Sequence, residues 1–106
     1  EPALRYQAIA NGNVQIVDAY STDAEISQYN LTTLEDDRHL FPAYQGAPMI
    51  REDFAKDHPK VVAALNKLAG RITDEEMSRM NYEVKVNGRS AAAVARDYLQ
   101  LCHLLG

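Results

Sequence analysis

Tryptophan, a second cysteine, a surplus of basic residues and long apolar runs are all missing from this 106-residue sequence. Because Cys102 is the only cysteine, a disulfide framework and a thiolate metal site are excluded within the chain. Its leucine neighbours favour a packed thiol over a reactive one. The formal net charge of -4 offers no basic surface to a phosphate backbone, so nucleic-acid binding is not expected. No window approaches the roughly 18 consecutive apolar residues of a membrane span.

The residue patterns of common catalytic, metal and cofactor sites are also missing. His39, His58 and His103 fall on different predicted elements, without a Gly-x-Ser-x-Gly or His-Glu-x-x-His motif. The five glycines are too dispersed for a phosphate-binding loop. The acidic residues between positions 18 and 37 do not have the spacing of a metal-coordinating loop. We therefore predict no catalytic residue, no metal ligand and no cofactor, and we do not expect an enzyme.

Local patterns predict an α/β chain in which helices and short strands alternate in the first half. Thr22 with Glu25 and Thr73 with Glu76 have the spacing of capping boxes, Ser90 is a candidate N-cap, and Gly12 and Gly70 are stop signals. The apolar periodicity between these signals completes the assignment. Helices are expected over 3–11, 23–29, 59–69, 74–81 and 91–102, and extended segments over 14–18, 31–35 and 46–52.

The strand content is low for a self-contained α/β domain. Three short strand candidates occur in the first half, and nothing obvious pairs with all of them. The charged run 35–39 divides two unlike halves, which fits a crossover between lobes or, equally, a surface loop. The chain begins at Glu1 rather than Met, as a processed protein or a fragment would. We expect the chain to be a piece of something larger.

Two of the six tyrosines occupy positions typical of ligand contacts. Tyr20 follows the predicted strand 14–18, at the carboxyl end where open α/β sheets bind ligands, and Tyr44 lies in a proline-containing loop, 41–45. A quaternary ammonium has no N–H to donate, so ring faces are the physical means of holding it, at roughly 0.5–2 kcal/mol each. The alternative is a partly buried tyrosine with a satisfied hydroxyl, and we keep that interpretation for Tyr6, Tyr29, Tyr82 and Tyr98.

Seven motifs, in order along the chain, carry a family resemblance. Residues 6–23, Tyr-Gln-Ala-Ile-Ala-Asn-Gly-Asn-Val-Gln-Ile-Val-Asp-Ala-Tyr-Ser-Thr-Asp, closely resemble the segment Y-x-A-L-x-x-G-x-x-x-V-x-D-A-Y-x-T-D of glycine betaine/choline-binding proteins of osmoprotectant ABC importers. The other six follow in the family's order: Leu34-Glu-Asp-Asp37, Phe41-Pro-Ala-Tyr-Gln45, Ala47-Pro48, Arg51-Glu-Asp53, Leu65-Asn-Lys-Leu-Ala-Gly70 and Glu75-Glu-Met77-x-x-x-Asn81. The similarity extends from about residue 4 to residue 100, and the tail 101–106 departs from it.

The resemblance implies a two-lobed type II periplasmic-binding-protein fold, with hinged lobes and a mixed sheet flanked by helices. This chain would be its carboxy-terminal portion: 1–30 the end of the second lobe, 31–40 the interlobe crossover, and 41–106 the return to the first lobe. The family holds the trimethylammonium group of its ligand in a cage of aromatic rings. Tyr20 and Tyr44 match two members of that cage, one from each lobe.

The resemblance also implies partners and a location. The ligand would be glycine betaine, choline or a related quaternary ammonium, and the protein would deliver it to an ABC permease outside the cytoplasm, attached through a lipid anchor or a permease fusion. The missing amino-terminal part of the same protein is an expected partner, and we also expect the chain to self-associate. An alternative with the same lobe architecture is the ligand-sensing domain of a transcription regulator.

Overall fold

The computed structural model describes residues 2–105, and six α-helices are formed within that range. The helices are α1 (Pro2–Ala10), α2 (Ala24–Gln28), α3 (Glu52–Asp57), α4 (Pro59–Asn66), α5 (Asp74–Lys85) and α6 (Ala91–Leu101). Five of them confirm the predicted helices to within a few residues. Helix α3 was not predicted as a helix, and it begins where the expected extended segment 46–52 was to end.

The predicted strands are wrong for the described residues. Segments 14–18, 31–35 and 46–51 have no regular secondary structure, and no strand or bridge is assigned between residues 2 and 105. A β-strand forms only when a neighbouring strand accepts and donates its backbone hydrogen bonds. The β-branched residues of 14–17 favour an extended backbone, but no such neighbour is present in the described part of the chain.

The described residues divide into two compact units. The first comprises the described residues of 1–33 and 73–106, with α1, α2, α5 and α6, and the second comprises 34–72, with α3 and α4. The expected lobe boundaries at 30 and 40 concern a larger fold and stay predictions.

The first unit has a small core built from aromatic and aliphatic side chains. Tyr6 of α1, Ala24 of α2, and Val94 and Tyr98 of α6 are its buried residues. Helix α5 packs against both α2 and α6. At the first of these contacts Lys85 forms an ion pair with Glu25 (3.0 Å). Val94 and Tyr98, four residues apart on α6, therefore face the core.

The second unit contains no buried residue among those described. Its helices α3 and α4 contact one another, and the rings of Phe54 and His58 stack at 4.1 Å between centroids. Several large apolar side chains in its non-helical segment remain exposed: Leu34, Leu40, Phe41 and Met49. The unit is consequently held by local contacts rather than by a core.

The caps explain where the helices begin and end. Both hydrogen bonds of the capping box at Thr73 and Glu76 are present, and the Ser90 hydroxyl accepts from the Ala93 N–H (3.2 Å), so both predicted caps are confirmed. The predicted box at Thr22 is wrong, because Asp23 is the N-cap residue of α2 and no side chain caps that helix. Gly12 ends α1 with a φ of 74°, a value that favours glycine.

Replacing Thr73 by Ala should destabilise the first unit by about 1 kcal/mol, because the Glu76 N–H loses its acceptor and Glu76 loses the Thr73 hydroxyl. Urea denaturation followed by circular dichroism measures this loss. Thr32→Ala, outside every helix, is the matched control and should change the unfolding free energy by less than about 0.5 kcal/mol. Equal effects of the two variants would contradict a capping role for Thr73.

Candidate functional site

Tyr20 lies at the start of a tight turn that leads into α2. The Asp23 N–H donates to the Tyr20 carbonyl (3.0 Å), and the Tyr20 N–H donates to Oδ2 of Asp23 (3.2 Å). These reciprocal bonds fix the backbone on both sides of the tyrosine. The residue itself is 59% exposed and lies at the surface of the first unit.

The turn is anchored to α1 through the carboxylate of Asp23. That carboxylate accepts hydrogen bonds from the Tyr6 hydroxyl (2.5 Å) and from Arg5 Nη2 (3.4 Å). Arg5 Nη1 donates to Asp18, on the other side of Tyr20, at 3.0 Å. We call Arg5, Tyr6, Asp18 and Asp23 the Arg5 cluster. Its members join α1 to both ends of the segment that carries Tyr20.

Helix α5 holds the same turn from another direction. The Ser21 hydroxyl donates to Oδ2 of Asp74 (3.0 Å), and Nδ2 of Asn81 donates to the Thr22 carbonyl (2.9 Å). Segment 20–23 is thus bound by two helices, α1 and α5, although it has no regular secondary structure of its own. The position of Tyr20 is determined by this set of bonds.

The Arg5 cluster changes the pKa values of two of its members. Burial raises the pKa of Tyr6 to about 12, and its hydrogen bond to the Asp23 carboxylate adds to the effect. Burial alone would raise the pKa of Asp23, but the hydrogen bonds from Tyr6 and the Tyr20 N–H, with the charges of Lys85 and Arg5, lower it below 3.8. Asp23 is therefore an anion and Tyr6 a neutral donor at neutral pH.

The lowered pKa of Asp23 predicts an acid-sensitive contribution to stability. A carboxyl group whose pKa is lower in the folded state stabilises the fold above its unfolded pKa, near 3.8, and loses that effect as the pH falls through the folded value. The difference in unfolding free energy between the wild type and Asp23→Asn should therefore shrink below about pH 4. Urea denaturation at a series of pH values measures it. A difference that stays constant from about pH 6 to about pH 3 would contradict the assignment.

Tyr44 lies in the second unit, in the non-helical segment before α3, and is 73% exposed. Asp36 organises the chain just upstream, because its carboxylate accepts from the N–H groups of Leu40 (3.0 Å) and Phe41 (2.9 Å). The hydrogen bond from the Phe41 N–H, and next to it the one from the Leu40 N–H, hold the pKa of Asp36 below its usual value. Tyr20 and Tyr44 belong to different units, and their assignment to one site stays a prediction.

The other four tyrosines were expected to be partly buried residues with satisfied hydroxyls, and they differ in how deeply they are buried. Tyr6 is 1% exposed with its hydroxyl bonded, and Tyr98 is 5% exposed on the core face of α6, so both are packed residues as expected. Tyr29 and Tyr82 are partly buried. The role of Arg5 and Asp23 was missed, because an ion pair between residues far apart in sequence has no local signal.

A groove of about 560 Å³ lies between α2 and α5 in the first unit. Apart from Tyr82, the residues that line it are serines, acids and one arginine, and Ser21 lies at the side of the Tyr20 turn. A single ring among carboxylates and serines does not make an aromatic cage, so this groove does not match the site predicted from the tyrosines.

Two further properties concern the described residues only. Between residues 2 and 105, no group of three or more His, Cys, Asp or Glu side chains is arranged to hold a metal ion. None of the six helices has both the length and the apolar character that crossing a bilayer requires.

Residues 2–101 match the family described as the substrate-binding domain of ABC-type glycine betaine transport systems. The chain is 37% identical over 97 residues to the carnitine transport binding protein OpuCC of Listeria monocytogenes, covering 92% of this chain and 32% of that protein. It is also 37% identical over 97 residues to the ergothioneine transport permease/ergothioneine binding protein EgtU of Helicobacter pylori, covering 92% of this chain and 18% of the relative.

Among solved structures, a crystal structure described as a glycine betaine/carnitine/choline ABC transporter matches with a TM-score of 0.82 and 34% identity. The match covers 96% of this chain and 38% of that one. These relatives are transport binding proteins rather than enzymes, and the chain spans about a third of the length of OpuCC and less of EgtU. The sequence, through residues 2–101, and the structure agree, and the chain belongs to the family of substrate-binding domains of ABC-type glycine betaine transport systems.

Proposed function

We propose that this chain is the carboxy-terminal part of an extracytoplasmic solute-binding protein that captures a quaternary ammonium osmoprotectant in an aromatic cage. The family match over residues 2–101 carries the proposal. Glycine betaine, choline and carnitine are the proposed solutes, and Tyr20 and Tyr44 are the proposed cage residues. The whole protein would deliver the solute to an ABC permease, and it would act as a receptor rather than an enzyme.

The solutes named for the relatives support the aromatic cage on chemical grounds. Carnitine, ergothioneine, glycine betaine and choline all carry a trimethylammonium group. Its charge is spread over methyl groups that cannot donate N–H hydrogen bonds, so polar acceptors gain little from it. The face of a tyrosine ring attracts the cation through its quadrupole and excludes water from the methyl groups.

The surroundings of Tyr20 support its part in the cage. An exposed aromatic residue is of use to a ligand when its backbone is fixed before the ligand arrives, because ordering it during binding costs free energy. Tyr20 meets this condition through the bonds of its turn to Asp23. Tyr44 follows a segment whose amides are held by Asp36, and its exposure is similar.

We propose a two-lobed type II periplasmic-binding-protein fold for the whole protein, with hinged lobes and a mixed sheet flanked by helices. Residues 1–30 would end the second lobe, 31–40 would cross between lobes, and 41–106 would return to the first. The segments 14–18 and 31–35 would then find strand partners in the rest of the protein. Attachment outside the cytoplasm would use a lipid anchor or a fused permease.

The proposal is tested by thermal denaturation of the whole protein with matched ligands. A ligand that binds only the folded state raises the melting temperature by an amount that grows with the logarithm of its concentration relative to its Kd. Glycine betaine, carnitine and choline should raise it, and glycine, which lacks the three methyl groups, should not. Equal shifts with glycine and glycine betaine would contradict recognition of the quaternary ammonium.

A further inference from the structure

One guanidinium closes the loop that carries Tyr20. Arg5 donates from Nη1 to Asp18 (3.0 Å) and from Nη2 to Asp23 (3.4 Å), and these two aspartates stand on opposite sides of Tyr20 in the sequence. Both nitrogens belong to the same planar, rigid group. The two ends of segment 18–23 therefore cannot separate without breaking one of the ion pairs.

The two ion pairs of Arg5 with Asp18 and Asp23, here called the clamp, are tied to the buried core of the first unit. Tyr6 is 1% exposed, and its hydroxyl donates a hydrogen bond to the Asp23 carboxylate. The guanidinium carbon of Arg5 lies 5.3 Å from the centroid of the Tyr6 ring. The Asp23 carboxylate, which accepts hydrogen bonds from Tyr6 and Arg5, also accepts one from the Tyr20 N–H (3.2 Å). A continuous chain of contacts thus leads from the core to the backbone of Tyr20.

We propose that Arg5 is a positioning residue for cation binding: by bridging Asp18 and Asp23 it holds the Tyr20 loop in the conformation that receives the ligand. The effect of Arg5 on ligand affinity rests on the proposed function, because an ordered Tyr20 matters for affinity only if its ring contacts the solute. Arg5 itself touches no ligand in this scheme. Its effect is to reduce the conformational freedom that binding would otherwise have to remove.

The exposure of Asp18 indicates that the Arg5–Asp18 pair acts on order more than on stability. The side chain of Asp18 is 87% exposed, and ion pairs with so exposed a partner contribute little to the unfolding free energy. The same ion pair still restricts the loop, since it joins two points of a short segment. The Asp23 side chain is only 19% exposed, so a change at Arg5 that keeps the positive charge beside it should alter ligand affinity more than the melting temperature.

Arg5→Lys in the whole protein is the informative variant. A lysine keeps the charge, but its single ammonium cannot reproduce the planar fork that reaches both carboxylates. We expect the affinity for glycine betaine, measured by calorimetry, to fall about three- to tenfold. Arg89→Lys is the matched control, because Arg89 likewise bridges two acids, Glu83 and Asp97, and should leave the affinity unchanged.

A double-mutant cycle separates positioning from a general structural effect. In a Tyr20→Ala background the clamp has no ring to position, so adding Arg5→Lys should change the affinity less than about twofold. A loss that is as large without the tyrosine as with it would overturn the inference. So would an Arg5→Lys variant with wild-type affinity.

A measurement without ligand tests the clamp independently of the proposed function. The ¹⁵N relaxation of the Tyr20 amide in the whole protein should match that of helix α5 in the wild type and report faster motion in Arg5→Lys. An unchanged Tyr20 amide in Arg5→Lys and in Arg5→Ala would overturn the inference even if the protein binds glycine betaine. A Tyr20 amide that is rigid in the wild type and mobile in Arg5→Lys, in a protein that binds no quaternary ammonium, would support the clamp and remove the proposed function.

Discussion

Replacing Tyr20 or Tyr44 by Ala in the whole protein should weaken glycine betaine binding by about 1–3 kcal/mol, roughly ten- to a hundredfold in affinity. Each substitution removes a ring face from the cation and admits water to its methyl groups. Both tyrosines are largely exposed in their own units, so the substitutions should cost little folding free energy. Calorimetry with glycine betaine and choline measures the change.

Conservative variants distinguish the ring face from the hydroxyl. Tyr20→Phe and Tyr44→Phe should retain most of the binding, since phenylalanine presents a similar face, and Trp should do the same. Tyr29→Ala is the control, because Tyr29 ends α2 and is not assigned to the cage. If Tyr44→Phe proves as damaging as Tyr44→Ala, the hydroxyl is the contacting group and the cage assignment of Tyr44 is wrong.

The second large effect expected is self-association of the 106-residue chain. Its second unit has no buried residue among those described, and Leu34 (81%), Leu40 (77%) and Met49 (100%) are exposed. The unpaired extended segments provide backbone groups that a second copy can use. Exposed apolar surface and open strand edges both drive association or swapping.

Sedimentation of the purified chain measures this association. We expect a weight-average mass that rises with concentration to at least about twice the monomer mass. Leu40→Ser, which removes an exposed apolar side chain from the second unit, should reduce the association. Leu4→Ser is the matched control on α1, where Leu4 is 59% exposed. A monomer with one sharp cooperative melting transition would contradict the expected association.

The helices could be predicted because their signals are local. Thr73 with Glu76 and Ser90 with Ala93 lie within one helical turn of each other, and both caps form. Helix α3 escaped prediction because its six residues carry no apolar stripe, only an acidic first turn and Lys56 in the last. The strands failed for the opposite reason: the residues of 14–18 suit a strand, but strand formation depends on a partner that the described residues do not contain.

The candidate site shows the same division between local and distant information. Tyr20 and Tyr44 could be singled out from their neighbours in sequence and from the family resemblance. The ion pairs of Arg5 with Asp18 and Asp23 could not, because they join residues 13 and 18 positions apart through the packing of α1 against the turn. The sequence motif therefore singles out Tyr20, and the three-dimensional structure identifies the Arg5 ion pairs that hold its loop.

The most direct test of the central claim is a crystal structure of the whole protein with bound glycine betaine. The quantity to measure is the distance from the trimethylammonium nitrogen to the ring centroids of Tyr20 and Tyr44. We expect both distances to be within about 6 Å, with the methyl groups over the ring faces. A ligand bound elsewhere, with neither ring within that distance, would contradict the account.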